Sequence, residues 1–140
     1  MTIVAPMPKI HQIAFAIGAA MAMVFAFSLR IQAGAPLSIT YADNGEALEL
    51  MKDDSLVITL DANSSTGYRW QVLTNNEAMM KPAGPPVYRG DKPGMIGAPG
   101  HVVFTFTAMA TGKEILVLGY SRSNDHNPAK MFSVNIHVGE

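Results

Sequence analysis

The chain has 140 residues, room for one domain, with ten basic residues against eleven acidic ones and no cysteine. The lack of cysteine excludes structural disulfides, thiol catalysis, a lipid-modified cysteine and cysteine metal sites. No long run of like charge occurs, which argues against nucleic acid or an anionic membrane surface as a partner.

Taken in chain order, the first feature is Ile13 to Leu29, an uncharged stretch preceded by Lys9 and His11. A weakly basic start, an apolar centre and small residues after it read as a secretory signal peptide. Ala33-Gly34-Ala35 supplies a small-x-small pattern, and a cut after Ala33 keeps Pro36 away from the scissile bond. Left uncut, the run approaches the roughly 17 to 25 residues that span a bilayer, and would be an N-terminal anchor. Either way residues 1–35 are assigned to a leader, and residues 36–140 to an exported domain, periplasmic or secreted. Setting aside Lys9 and Arg30 leaves eight basic against eleven acidic residues, a balance of −3. A domain of about 105 residues without disulfides must be held by its core, which is feasible at that size.

The remainder alternates with period two. Leu37 to Tyr41 and Ala47 to Leu50, around Asn44-Gly45, predict an opening hairpin. Leu56, Ile58 and Leu60 form one row, and Tyr68, Trp70 and Val72 another. Asn76 to Lys81 can form one helical turn, ended by Pro82. Val102, Phe104, Phe106 and Ala108 follow, then Leu116, Leu118 and Tyr120, then Phe132, Val134, Ile136 and Val138. Successive strand residues point to opposite faces, so each segment buries one row. Short strands divided by turn-rich loops predict an all-β sandwich or barrel, of about seven strands if a sandwich, without a second domain.

Three loops interrupt the alternation. The first, Asn63 to Gly67, is made of small neutral hydrogen-bonding residues, with Gly67 free to take a positive φ. The second, Gly90 to Gly100, holds glycines and prolines, and the third, Ser121 to Lys130, is polar. Strand count allows all three to gather at one end of the sandwich, provided that no strand intervenes between Val72 and Gly90.

Asn63-Ser64-Ser65-Thr66-Gly67-Tyr68-Arg69-Trp70 resembles the N-P-T-T-G-[FY]-x-W loop of the chagasin-like inhibitors of papain-family cysteine peptidases. Gly97-Ala98-Pro99-Gly100, shortly before Val103-Phe104-Thr105-Phe106, resembles their G-x-G-G loop, with proline where the family has a glycine. Arg122-Ser123-Asn124, after Leu116-Val117-Leu118-Gly119-Tyr120, keeps the arginine of their R-P-W loop and lacks its proline and tryptophan. The resemblance spans roughly residues 37 to 138. It implies an immunoglobulin-like β-sandwich that inserts three loops into the cleft of a papain-like peptidase, reversibly and without a covalent step, as a monomer needing no cofactor. Ser64, Ser65, Thr66 and Gly67 would form the central wedge, flanked by Asn63 and Tyr68. Gly97 to Gly100 would lie along one wall, and Arg122, Ser123 and Asn124 along the other. The missing tryptophan, a common hot-spot residue, predicts weaker inhibition, a different target, or another use of the fold.

Plainer readings of the same residues stand beside this one. Asn63 can simply form an Asx-turn, Tyr68, Trp70 and Tyr120 can be packed aromatics, and Gly90 to Gly100 can be a connector. An enzyme has little support: His101, Asp125, His126 and His137 show no metal-binding spacing, and no Gly-x-Ser-x-Gly turn occurs. No catalytic and no metal-ligating residue is assigned. The alternative function is an exported immunoglobulin-like binding module without peptidase inhibition, and the membrane is involved only if the leader is uncleaved.

Overall fold

The computed structural model describes residues 36–140 other than Pro93, and the expected leader lies outside the described residues. Among the described residues, nine strands form two sheets. The first sheet runs β1 (Leu37–Thr40), β3 (Ser55–Ala62), β7 (Gly100–Ala108), with β5 (Met80–Pro82) and β6 (Val87–Gly90) both paired to the far side of β7. The second runs β2 (Ala47–Met51), β9 (Lys130–Gly139), β8 (Gly112–Ser121), β4 (Arg69–Thr74).

The core is made of the alternating rows. Leu56, Ile58 and Leu60 of β3 and Val102, Phe104, Phe106 and Ala108 of β7 are buried from one sheet. Leu116 and Leu118 of β8 and Phe132, Val134, Ile136 and Val138 of β9 are buried from the other. Each large apolar side chain so buried contributes about 1.5–3 kcal/mol, the main cohesive force in a domain without cross-links.

Three expectations are corrected. The opening hairpin does not form: β1 pairs in parallel with β3, and β2 in parallel with β9, on opposite sheets. The reason lies at Asn44, whose φ of −57° and ψ of 128° precede Gly45 at φ 87°. That is a type II turn, closed by Glu46 N–H donating to the Asp43 carbonyl at 3.0 Å, and it lacks the two positive φ values of a tight hairpin. The Asn44 side chain instead accepts from Ser133 N–H at 2.8 Å, tying the crossing to β9.

The second correction concerns Asn76 to Lys81. A turn forms there, with the Met79 and Met80 amides donating to the Asn76 carbonyl, but Met80–Pro82 is strand. Pro82 is tolerated because β5 lies at the sheet edge. Third, Val72 is 40% exposed rather than sharing the buried face of Trp70. The register shifts between Val72 and Thr74, and Leu73 lies against Gly119 across the outer face.

A strand does intervene between Val72 and Gly90, and it causes the loops to gather. Both β5 and β6 run antiparallel to β7, so together they behave as one interrupted edge strand. The chain runs out along β3, back along β4, out along β5 and β6, back along β7 and out along β8. The connections after β3, β6 and β8 therefore project from the same end.

Candidate functional site

Loop 1 is shaped by its own sequence. Asn63 follows β3 in extended conformation and caps a 3-10 turn over Ser64–Thr66. Its Oδ1 accepts from the Ser65 amide at 3.1 Å and from the Ser65 hydroxyl at 2.6 Å. Thr66 Oγ1 donates to the Asn63 carbonyl at 2.7 Å and accepts from the Tyr68 amide at 3.3 Å. Gly67 closes the turn at φ 83°, ψ −5°, a left-handed conformation costly for any residue with a Cβ. Ser64, Ser65, Thr66 and Gly67 are exposed, and the whole tip is uncharged.

Loop 2 is pinched at its base, where Gly90 faces Gly100 and the Asp91 amide donates to the Pro99 carbonyl at 3.0 Å. Gly94 and Gly97, at φ 84° and 82°, turn the chain around a tip formed by Met95 and Ile96. Ile96 is 99% exposed, which leaves its whole side chain bare. Gly97 and Pro99 are exposed and Ala98 half-buried, whereas Gly100 is buried inside β7. A Cβ at Gly100 would stand 2.2 Å from the Arg89 carbonyl oxygen, so this glycine serves the pinch rather than the outer surface.

Loop 3 begins with a turn in which Asp125 accepts from the Arg122 amide at 3.0 Å and returns its own amide to the Arg122 carbonyl at 3.1 Å. Arg122, Ser123 and Asn124 are exposed.

The loops are bonded to each other. Asn63 Nδ2 donates to the Gly97 carbonyl at 3.2 Å, joining loop 1 to loop 2. Arg122 Nε donates to the Thr66 carbonyl at 3.3 Å, joining loop 3 to loop 1. Beneath them lies an aromatic stack: Tyr68 on Tyr120 at 5.2 Å between centroids, and Tyr120 beside Trp70 at 5.0 Å. The Tyr120 hydroxyl accepts from the Asn63 amide at 3.2 Å, and buried Trp70 donates its indole N–H to the Asp61 carbonyl at 2.9 Å. The stack gives loop 1 a floor in which the polar ends of Tyr120 and Trp70 are hydrogen-bonded.

The structure brings together all thirteen sequence-assigned positions, from Asn63 to Tyr68, Gly97 to Gly100 and Arg122 to Asn124, with Gly100 in the strand beneath. Sequence reasoning missed Met95 and Ile96. The signal was present as two large apolar residues between glycines in a solvent-facing loop. The histidines are scattered: His101 lies 3.3 Å from Asp91 at the base of loop 2, whereas His137 lies 2.7 Å from Glu49, near the opposite end of β9. Among the described residues no group of three or more histidine or acidic side chains could hold a metal ion. A shallow hollow of about 360 Å³, lined by Glu49, Lys113, Ile115 and His137, also lies toward that opposite end. At the loop end itself, a hollow of about 300 Å³ lies behind the exposed tip of loop 1, lined by Asp61, Asn63, Asp91, Pro99, Tyr120 and Lys130.

A family model described as the Chagasin family peptidase inhibitor I42 matches residues 49–136, more than half of the chain. No curated protein matches the sequence. Among solved structures, the cysteine protease inhibitor EhICP2 from Entamoeba histolytica superposes with a TM-score of 0.65 at 21% identity, over 74% of this chain and 95% of that one. The solution structure of amebosin gives a TM-score of 0.62 at 26% identity, over 76% and 100% of the two chains. PbICP-C, solved in complex with falcipain-2, gives a TM-score of 0.50 at 17% identity, over 75% and 93%.

Proposed function

Since the chain belongs to the chagasin family of peptidase inhibitors, we propose that it blocks papain-like cysteine peptidases reversibly, without a covalent step, by laying its three joined loops into the active-site cleft. The observation that carries this reading is the direct bonding of loop 1 to both neighbours at one end of the sandwich.

A papain-like site holds a thiolate beside an imidazolium in a groove shaped for extended peptide. The uncharged tip from Ser64 to Gly67 enters such a groove without burying an unpaired charge, which would cost several kcal/mol. Its hydroxyls and amides offer hydrogen bonds to groups that otherwise bind substrate backbone. Loops already bonded into one shape lose little entropy on docking. Met95 and Ile96 supply apolar contact beside the tip, offsetting part of the area that Ser123 and Asn124 lack where the family carries proline and tryptophan. The complex between PbICP-C and falcipain-2 is the precedent for this kind of partner. The setting we propose is outside the cytoplasm, with the protein acting as a monomer, and the membrane is involved only if residues 1–35 stay attached.

The test is steady-state titration of papain and a cathepsin L-type enzyme, with a serine peptidase as control. Reversible inhibition of the two cysteine peptidases at nanomolar to low-micromolar concentration, and none of the serine enzyme, is expected. No inhibition up to roughly 100 μM, a bound of about −5.5 kcal/mol, would leave a binding module of the same fold.

A further inference from the structure

We infer that Arg122 is a positioning residue, which holds loop 1 in its inserting shape rather than gripping the peptidase; this rests on the inhibitory reading above. Its guanidinium carbon lies 4.5 Å from the centroid of the Tyr68 ring, while Nε donates to the Thr66 carbonyl at 3.3 Å. Its Cγ also lies 4.0 Å from where a Cβ on Gly67 would stand. One side chain therefore bonds the Thr66 carbonyl, covers the Tyr68 ring and passes beside Gly67 between them.

The physical consequence concerns the peptide between Thr66 and Gly67. A glycine in a turn is the softest point of the backbone, and the plane before it can rotate because no Cβ opposes the change. Rotation would swing the Thr66 carbonyl away and redirect the Gly67 amide, which now donates to the Ser64 carbonyl at 3.3 Å. The bond from Arg122 Nε fixes that carbonyl. The ring of Tyr68 fixes the guanidinium in turn, and Tyr68 is itself stacked on Tyr120 at 5.2 Å. At the other end, Asp125 holds the Arg122 backbone through its amide at 3.0 Å. The charge is directed at a ring face and a carbonyl of its own chain.

Arginine suits this task and lysine does not. A planar guanidinium can lie over a ring and donate sideways from Nε at the same time, whereas an ammonium is a point charge on a flexible stem. A charge that acted only by long-range attraction to the peptidase would tolerate lysine, and it would leave the exchange of loop 1 in the unbound protein unchanged.

The experiment compares the purified protein with Arg122→Gln, Arg122→Lys, Tyr68→Leu and the Arg122→Gln/Tyr68→Leu double variant. Amide hydrogen exchange of the unbound proteins is read at Thr66, Gly67 and Tyr68, with Phe104 and Leu118 as core controls. Both arginine variants should exchange about tenfold faster at the loop 1 amides and unchanged at the controls. On papain, both should inhibit about tenfold more weakly, mainly through slower association. The Arg122 and Tyr68 effects should be non-additive in the double-mutant cycle. Unchanged loop 1 exchange in Arg122→Gln overturns the inference, as does full inhibition by Arg122→Lys with additive effects. If the unaltered protein does not inhibit papain at all, the exchange arm still decides: faster exchange upholds the latch while the peptidase reading falls.

Discussion

Gly67 turns loop 1 at φ 83°, ψ −5°, and the space where a Cβ would stand is open, with nothing nearer than Arg122 Cγ at 4.0 Å. Gly67→Ala therefore meets backbone strain of about 1–2 kcal/mol rather than a clash. The variant should fold, keep its core packing and inhibit about tenfold more weakly, as read by thermal melting beside a papain titration. Equal inhibition with an intact fold would remove loop 1 from the centre of the interface. The site was legible at this scale where a residue type has few uses: a glycine after small polar residues, or an asparagine able to cap a turn. What Asn63 does beyond capping was not legible, because its bond to Gly97 joins residues far apart in sequence. The burial of Gly100 was hidden for the same reason, since only pairing with Gly90 shows that no side chain fits.

Among the elements, the long strands were read from alternation because each buries one face and exposes the other. The short ones were not. Met80–Pro82 and Val87–Gly90 lie at an edge and carry no periodic signal in three or four residues, although Met80 is fully buried. The hairpin failed because Asn44-Gly45 satisfies more than one turn type, and pairing with β9 decides between them. One side chain couples these edge elements to β8: Glu114 accepts from the Asn76 amide at 2.6 Å at the turn before β5. Burial pushes its carboxyl above the ordinary value of 4.5, and the Asn76 bond offsets only part of that rise. The folded state thus holds this proton more tightly than the unfolded chain does. The group's contribution is favourable in acid and is lost as pH rises through 4.5 to the raised value. Glu114→Gln keeps an acceptor for Asn76 and removes the charge. Its stability relative to the unaltered protein should increase across that window and level off above it, as followed by urea unfolding at several pH values. A difference that does not vary with pH would contradict the assignment.

At the scale of the whole domain, two sheets hold three loops at one end. A domain of this size without cross-links has the core to do so, because both sheets contribute continuous apolar rows. Spacing alone made an all-β sandwich or barrel legible, since seven or nine short strands with one buried face each suit either, and the two separate sheets decide for the sandwich. The gathering of the loops was expected from a count that omitted an edge strand. It holds because β5 and β6 run in one direction and return the chain to the loop end. An uncharged loop 1 tip, bonded to loops on both sides, is the complement of a groove that holds a charged catalytic pair. The most direct measurement is the rate at which iodoacetamide alkylates the catalytic thiol of papain, taken with increasing amounts of the protein. Saturable protection of the thiol, with full peptidase activity recovered on dilution, is the result expected if the loops cover the cysteine. Binding to papain with the thiol alkylated at its free rate would contradict insertion into the cleft.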